Sequence, residues 1–291
     1  GTTVATNTVI EKTGAKTGLL TTAGFRDVLE VGRTSRPAVD LYNLSMERLK
    51  PLVPRRLRTG VPERVNYKGE VIEPLHEAVV REALDQMVMA GIEALAVSLI
   101  NAYANPVHER RAKEIVRTVQ PDLYVAISSE VNPQFKEFER TSTTVLSAYV
   151  GPKVSRYMAG MKQMLADLGI ASSLHIMQAS GGAMTVDAVH NRAIRTILSG
   201  PAGGVLGALK VGETVGEPNF VSFDMGGTST DVSLVKDGQF QIVEETGETG
   251  YHLRMPMMDI VTIGAGGGSI VWVDTGGVLK VGPESAGADP G

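Results

Sequence analysis

Apolar and polar positions in this chain fall into blocks whose period changes from strand-like to helix-like and back. Lys16–Thr21 reads as a strand and Ala23–Glu30 as a short helix. Residues 31–75 are rich in Pro and Arg, with a hairpin around Asn66–Glu70. His76–Ala90 spaces its apolar residues as a helix does and stops at Gly91, suited to the position just past a helix end. Ala94–Leu99 is a continuous apolar run, the pattern of a strand buried on both faces. Asn105-Pro106 is a cap followed by a first-turn proline, opening a helix to about Val119. Leu123–Ile127 is the next buried strand.

Gln134–Tyr149 and Pro152–Leu168 read as two helices parted at the proline, with Gly169 ending the second. Leu174–Gln178 and Ile194–Leu198 are strand candidates, and Ala202–Val215 is a helix of small residues. The alternation of strand and helix predicts an α/β sheet. From Val221 the pattern becomes strand-rich: a hairpin around Asp224, a turn at Asp237-Gly238 and a strand Gln239–Val243.

The hairpin carries the most chemistry. Residues 220–235 read FVSFDMGGTSTDVSLV, two apolar runs joined by a short polar turn. Gly226 and Gly227 lack a Cβ, so backbone N–H groups there can approach phosphate oxygens closely. Thr228, Ser229 and Thr230 add hydroxyl donors, and Asp224 and Asp231 suit a hard cation, directly or through water. No G-x-x-x-x-G-K-[ST] run occurs, so this is not a Walker loop. A second glycine cluster, TIGAGGGSI at Thr262–Ile270, contains Gly264, Gly266, Gly267 and Gly268. It suits a nucleotide-covering loop and equally a turn packed tightly on a neighbouring strand.

Composition narrows the partners. Hydrophobic content of 43% and charged content of 21% are ordinary for a globular protein. A net charge of -4 argues against broad nucleic-acid or anionic-membrane binding. No apolar run approaches the length of a membrane span. The absence of cysteine excludes disulfides, Fe–S clusters and thiolate chemistry, and fits a cytoplasmic location.

Ser199–Ala208 (SGPAGGVLGA) runs as a turn and small-residue helix directly into the Asp224 strand. Helix, strand, Asp, Gly-Gly-Thr hairpin in this order resembles the junction between the two lobes of the actin-like ATPase superfamily. The resemblance narrows with GTTVATNTVIEKTGAKTGLLTTAGFRDVLEVGR, SSEVNPQFKEFERTSTTVLSAYVGP, SGPAGG, FDMGGTSTDVSLV, MDIVTIGAGGGSI and VGPESAGADPG. Together, across almost the whole chain, these are similar to the hydantoinase A/5-oxoprolinase family. That resemblance implies an α/β actin-like (ribonuclease H-like) two-lobe fold. Residues 1–216 would form the first lobe and 217–291 the start of the second.

It also implies an enzyme: an ATP-dependent cyclic amide hydrolase, or the ATP-using subunit of an acetone- or acetophenone-type carboxylase, activating a carbonyl oxygen with ATP and Mg²⁺. A non-catalytic actin-like ATP switch is the reading from a different class. A hydantoinase B-type partner subunit or fused region is implied as well. Family members carry a further Asp-Gly-Gly-Thr hairpin upstream of GTTVATN, so the comparison implies an internal stretch, incomplete at both ends. With one of two phosphate hairpins, it is expected to bind ATP poorly and be inactive alone.

By the same resemblance, Gly226, Gly227 and Thr228 contact the β- and γ-phosphates. Ser229 and Thr230 add phosphate contacts, and Gly264, Gly266, Gly267 and Gly268 lie near the nucleotide. Asp224 holds Mg²⁺ through water; Asp231 does the same, orients a nucleophile, or merely bonds its own turn. Weaker candidates for a substrate cleft are Glu137, Glu139, Arg140 and Thr141–Thr144, Thr2, Thr3 and Asn7, and the arginines Arg26, Arg33 and Arg36. The commoner explanation for each is a solvated helix face, a cap or a surface charge. The histidines show no metal-ligand spacing, the methionines read as packing, and Trp272 as core.

Overall fold

The computed structural model describes residues 1–33, 42–45, 49–170, 172–246 and 250–287. The chain opens with helix α1 (Val4–Ile10), strand β1 (Thr17–Thr22) and the single-turn α2 (Val28–Val31). A 3-10 turn at Arg55–Leu57 feeds β2 (Arg58–Val61). β3 (Arg64–Val65) and β4 (Val71–Glu73) form the expected small hairpin, closed by an Asn66–Gly69 turn. Then follow α3 (Glu77–Met89), β5 (Ala94–Ser98), α4 (Val107–Val119), β6 (Tyr124–Ile127) and the short α5 (Ser128–Val131). β2, β1, β5 and β6 pair in that order, all parallel, and every residue of β1 and β5 is buried. Gly91 follows α3 with a φ of 76°, the left-handed stop that the sequence promised.

α6 (Glu137–Asp167) is one helix of 31 residues, not two. Pro152 lies inside it and removes one backbone bond, a cost of about 3 kcal/mol. Packing outweighs that cost: Glu139 through Gly151 are all buried, and a Cβ at Gly151 would strike the Tyr124 ring at 2.2 Å. β7 (His175–Met177) pairs with β8 (Ala183–Thr185), a hairpin the sequence reading missed, before α7 (Val186–Asn191). Ile194–Leu198, expected as a strand, overlaps a 3-10 turn at Ala193–Thr196, within which the Thr196 hydroxyl donates to the Ala193 carbonyl at 2.7 Å. A short buried apolar run does not distinguish the two states.

α8 (Ser199–Val215) leads into β9 (Phe220–Met225) and β10 (Thr230–Lys236). The expected strand Gln239–Val243 splits into β11 (Gln239–Phe240), paired with β10, and β12 (Ile242–Thr246), paired with β13 (Leu253–Met258). β14 (Val261–Ile263) adds to β10, and β15 (Ser269–Val273) pairs with β16 (Leu279–Ser285). Trp272 on β15 is 45% exposed rather than in the core, its indole N–H donating to the Gly282 carbonyl.

Among the described residues two apolar cores result. The larger spans the parallel sheet, α3, α4 and α6. The smaller joins Ala202 and Val205 of α8 to Val235 and Met258. β13 crosses between them, because Leu253, Met255 and Met257 pack into the larger core. The N-terminal segment, read as a strand edge, cap or cleft wall, is helical. It is tied to α8 by Thr2 N–H on Ser199 Oγ and by the Leu198 N–H on Thr6 Oγ1, both at 3.1 Å.

Candidate functional site

β9 and β10 pair so that Asp224 stands directly opposite Asp231, and Met225 opposite Thr230. Opposed residues of an antiparallel pair share a face, so both carboxylates project to the α8 side. There they line a cavity of about 230 Å³ with Pro201, Gly204, Ser222 and Ile260. Gly204 keeps α8 clear of the site: a Cβ there would lie 3.3 Å from Asp224 Oδ2. Like charges placed across a strand pair repel, a cost of a few tenths to about 1 kcal/mol that a cation removes. Thr262 on β14, opposite Asp231, donates its hydroxyl to Asp231 Oδ1 at 2.7 Å. Sequence reading passed over Thr262; its signal was a lone hydroxyl in the apolar run before the glycine cluster.

Four residues, Gly226 to Ser229, form the turn, closed by Gly226 N–H on the Ser229 carbonyl at 2.9 Å. The glycine loop grips this turn from behind. Gly267 N–H donates to the Gly226 carbonyl at 2.9 Å and Gly268 N–H to the Gly227 carbonyl at 2.8 Å. With its carbonyls held there, the turn keeps the N–H groups of Gly227, Thr228 and Ser229 without internal acceptors among the described residues. Gly227 and Thr228 are exposed and Ser229 half-buried. The Thr230 hydroxyl, by contrast, is buried and donates to the Ala265 carbonyl at 2.6 Å. Gly226, Gly227, Thr228, Ser229, Asp224 and Asp231 are thus brought together at one tip. Gly266, Gly267 and Gly268 lie against it, and the carbonyl of Gly264 abuts Gly282.

The weaker candidates have internal partners. Glu139 accepts a two-pronged bond from Arg33; burial pushes its carboxyl up, but the Arg33 guanidinium, a backbone N–H and Lys136 together outweigh this and hold it below the usual range. Arg140 is fully buried and donates to Ser128 Oγ, Gln134 O and Leu99 O. Glu109, missed in the sequence, accepts from Leu99 N, Ser128 Oγ and Ser129 N; burial raises its carboxyl against those bonds. Ser142 and Thr143 bond the His252 carbonyl and the Arg254 N–H. Arg26 donates to the Arg55 carbonyl, and Arg36 lies outside the described residues. Among the described residues no three His, Asp or Glu side chains cluster as metal ligands, and no helix is long and apolar enough to cross a membrane.

Residues 140–291 match the Hydantoinase/oxoprolinase family and residues 1–120 the Hydantoinase/oxoprolinase N-terminal region. The caprolactamase subunit alpha of Pseudomonas jessenii is 39% identical over 291 residues, covering 100% of this chain and 42% of that protein. The crystal structure of ATP-dependent caprolactamase from that organism superposes with a TM-score of 0.90, over 100% of this chain and 42% of that one. The 5-oxoprolinase of Saccharomyces cerevisiae is 36% identical, covering 100% of this chain and 24% of its own length. A nucleotide-free acetone carboxylase structure, 32% identical, superposes with a TM-score of 0.80 over 98% of this chain and 41% of that one. This chain therefore spans less than half the length of these relatives. The chain has the actin-like ATPase fold, with its parallel sheet and its Asp224–Thr228 (Asp-Met-Gly-Gly-Thr) hairpin, and it belongs to the hydantoinase/oxoprolinase family.

Proposed function

We propose that this chain carries the nucleotide-binding hairpin of an ATP-dependent cyclic amide hydrolase. Residues 1–216 and 217–291 would supply parts of its two lobes. The observation that carries this reading is the hairpin tip: three unengaged backbone donors beside two facing carboxylates. That donor and acceptor set fits a polyphosphate with a hydrated divalent cation. Gly227, Thr228 and Ser229 hold phosphate oxygens through N–H groups, with the hydroxyls of Thr228 and Ser229 as further donors. Asp224 and Asp231 hold the hydration shell of Mg²⁺, and Thr262 fixes the Asp231 carboxylate. Thr230 acts indirectly, tying the turn to the glycine loop. ATP-Mg²⁺, when bound, supplies the electrophilic phosphoryl group that activates an otherwise inert amide carbonyl. The protein's share is positioning and charge neutralisation.

The relatives named as subunits support a partner subunit as well. A second reading, the ATP-using subunit of a ketone carboxylase, is favoured by the match to the acetone carboxylase structure. ATP turnover by the assembled enzyme separates the readings. Stimulation by hydantoin, 5-oxoproline or caprolactam supports the hydrolase, and stimulation by a ketone only with bicarbonate supports the carboxylase. Turnover that responds solely to a protein partner supports a non-catalytic switch and overturns both.

A further inference from the structure

Two amide side chains in the segment between α5 and α6 have buried atoms without partners. Asn132 is 4% exposed, and its Nδ2 meets no acceptor among the described residues. Two residues on, Gln134 Oε1 is equally shielded and meets no donor. Leaving such an atom buried and unpaired costs about 1–3 kcal/mol, so proteins supply it with an ordered water or a ligand. Most other unpartnered side-chain atoms, Arg26 Nε excepted, have an evident counterpart nearby. Arg58 Nη1 lies 3.9 Å from Asp27 and Arg254 Nε 3.5 Å from Glu245. The Ser129 hydroxyl faces Glu109, and Ser147 faces Tyr124.

The location adds weight. Ligands of open parallel sheets bind beyond the carboxyl ends of the strands, where the strand order reverses. In the order β2-β1-β5-β6 that crevice lies between β1 and β5, one strand away from β6. Arg140 ties the 132–136 loop to it through Gln134 O at 3.0 Å and Leu99 O at 2.8 Å. Lys136, ending the loop, holds a φ of 77°, a strained conformation for a non-glycine residue. Phe135 before it is 60% exposed.

We propose that the 132–136 loop recognises the substrate's amide group, Asn132 Nδ2 donating to the ring carbonyl and Gln134 Oε1 accepting from the ring N–H. A lactam is fixed cis, so it presents carbonyl and N–H along one edge, the complement of one donor and one acceptor. A ketone lacks the N–H and leaves Gln134 unpaired, so the loop selects amides over ketones. Both atoms are shielded, so binding requires the loop to open, releasing Gln134 O from Arg140 and Phe135 from Arg254, which covers its ring at 5.5 Å and donates to its carbonyl at 3.4 Å. This inference rests on the cyclic-amide reading above.

The test measures ATP turnover by the assembled enzyme with caprolactam, 5-oxoproline, hydantoin and N-methylcaprolactam, alongside thermal unfolding. Gln134→Ala is expected to lower kcat/KM for caprolactam about tenfold or more while barely changing N-methylcaprolactam, because only the former offers the N–H. Gln134→Glu keeps an acceptor and restores part of the loss. Asn132→Ala lowers kcat/KM for both lactams. An unchanged ratio between the two lactams in a folded Gln134→Ala protein overturns the inference. So does a fall in melting temperature with the ratio intact, which assigns the pair to a buried water. If no cyclic amide stimulates the wild type, the hydrolase reading itself has failed; stimulation that ignores these substitutions sinks only the loop's role.

Discussion

The molecule's two glycine runs meet at one place and need glycine for opposite reasons. A Cβ at Gly266 would lie 2.6 Å from the Gly226 carbonyl oxygen and 2.7 Å from Thr228 N; at Gly268 it would lie 3.1 Å from the Gly227 carbonyl oxygen. There the protein's own backbone excludes a side chain. At Gly227 a Cβ meets nothing within 4 Å, and at Gly226 only an ordinary contact at 3.5 Å. Neither of these has a left-handed φ. The folded chain gives no internal reason for glycine at the tip, whereas the crowded glycines build the turn. Under the function proposed above, the open glycines make room for the phosphates.

Gly266→Ala is the strongest way to test the crowded side. Backbone on the opposing turn cannot yield as a side-chain end can, so the hairpin and glycine loop must part. The expected loss is about 3 kcal/mol, read from chemical denaturation, with ATP binding lost as a consequence. Wild-type stability would show that the loop does not brace the turn.

Asp224→Ala tests the open side through charge. ATP turnover should fall on the order of 100-fold, the scale of removing one positioned electrostatic group. Stability should hold or rise slightly, because one of two facing like charges is gone. Unchanged hydrolysis would sink the assignment of this carboxylate. Gly227→Ala should act in between: the same melting temperature, and ATP affinity weakened about tenfold by a methyl group where the phosphates approach. If its melting temperature instead falls as for Gly266→Ala, the two runs do not differ and the comparison fails.

The open run was the legible one. Apolar runs on both sides of a Gly-Gly turn are local signals, and they located the hairpin and the two carboxylates that flank its turn. The crowded run was ambiguous because its glycines answer to contacts 40 residues away in sequence, which no local pattern records. Similar long-range contacts explain the other departures. Burial of Glu139–Gly151 carries α6 through Pro152, and Thr143 and Ser142 of α6 anchor β13, drawing Leu253, Met255 and Met257 into the larger core. Trp272 failed differently: an indole can be satisfied at the surface, as its bond to the Gly282 carbonyl shows. Thr262 was invisible because its partner is chosen by strand pairing, not by spacing.

Thr262→Val gives the smallest expected effect and the sharpest reading of Asp231. Valine suits a strand and preserves the shape, so the pairing of β14 with β10 should persist and stability should not move. What is lost is the hydrogen bond to Asp231 Oδ1 at 2.7 Å. At this exposed position that bond is worth about 1 kcal/mol, equivalent to roughly a fivefold higher Mg²⁺ concentration for half-maximal ATP turnover. Thr262→Ser keeps the hydroxyl and should restore the wild-type value. If Thr262→Val leaves the Mg²⁺ dependence unchanged while Asp224→Ala abolishes turnover, then Asp231 is a turn residue, and the cation depends on one carboxylate instead of a facing pair.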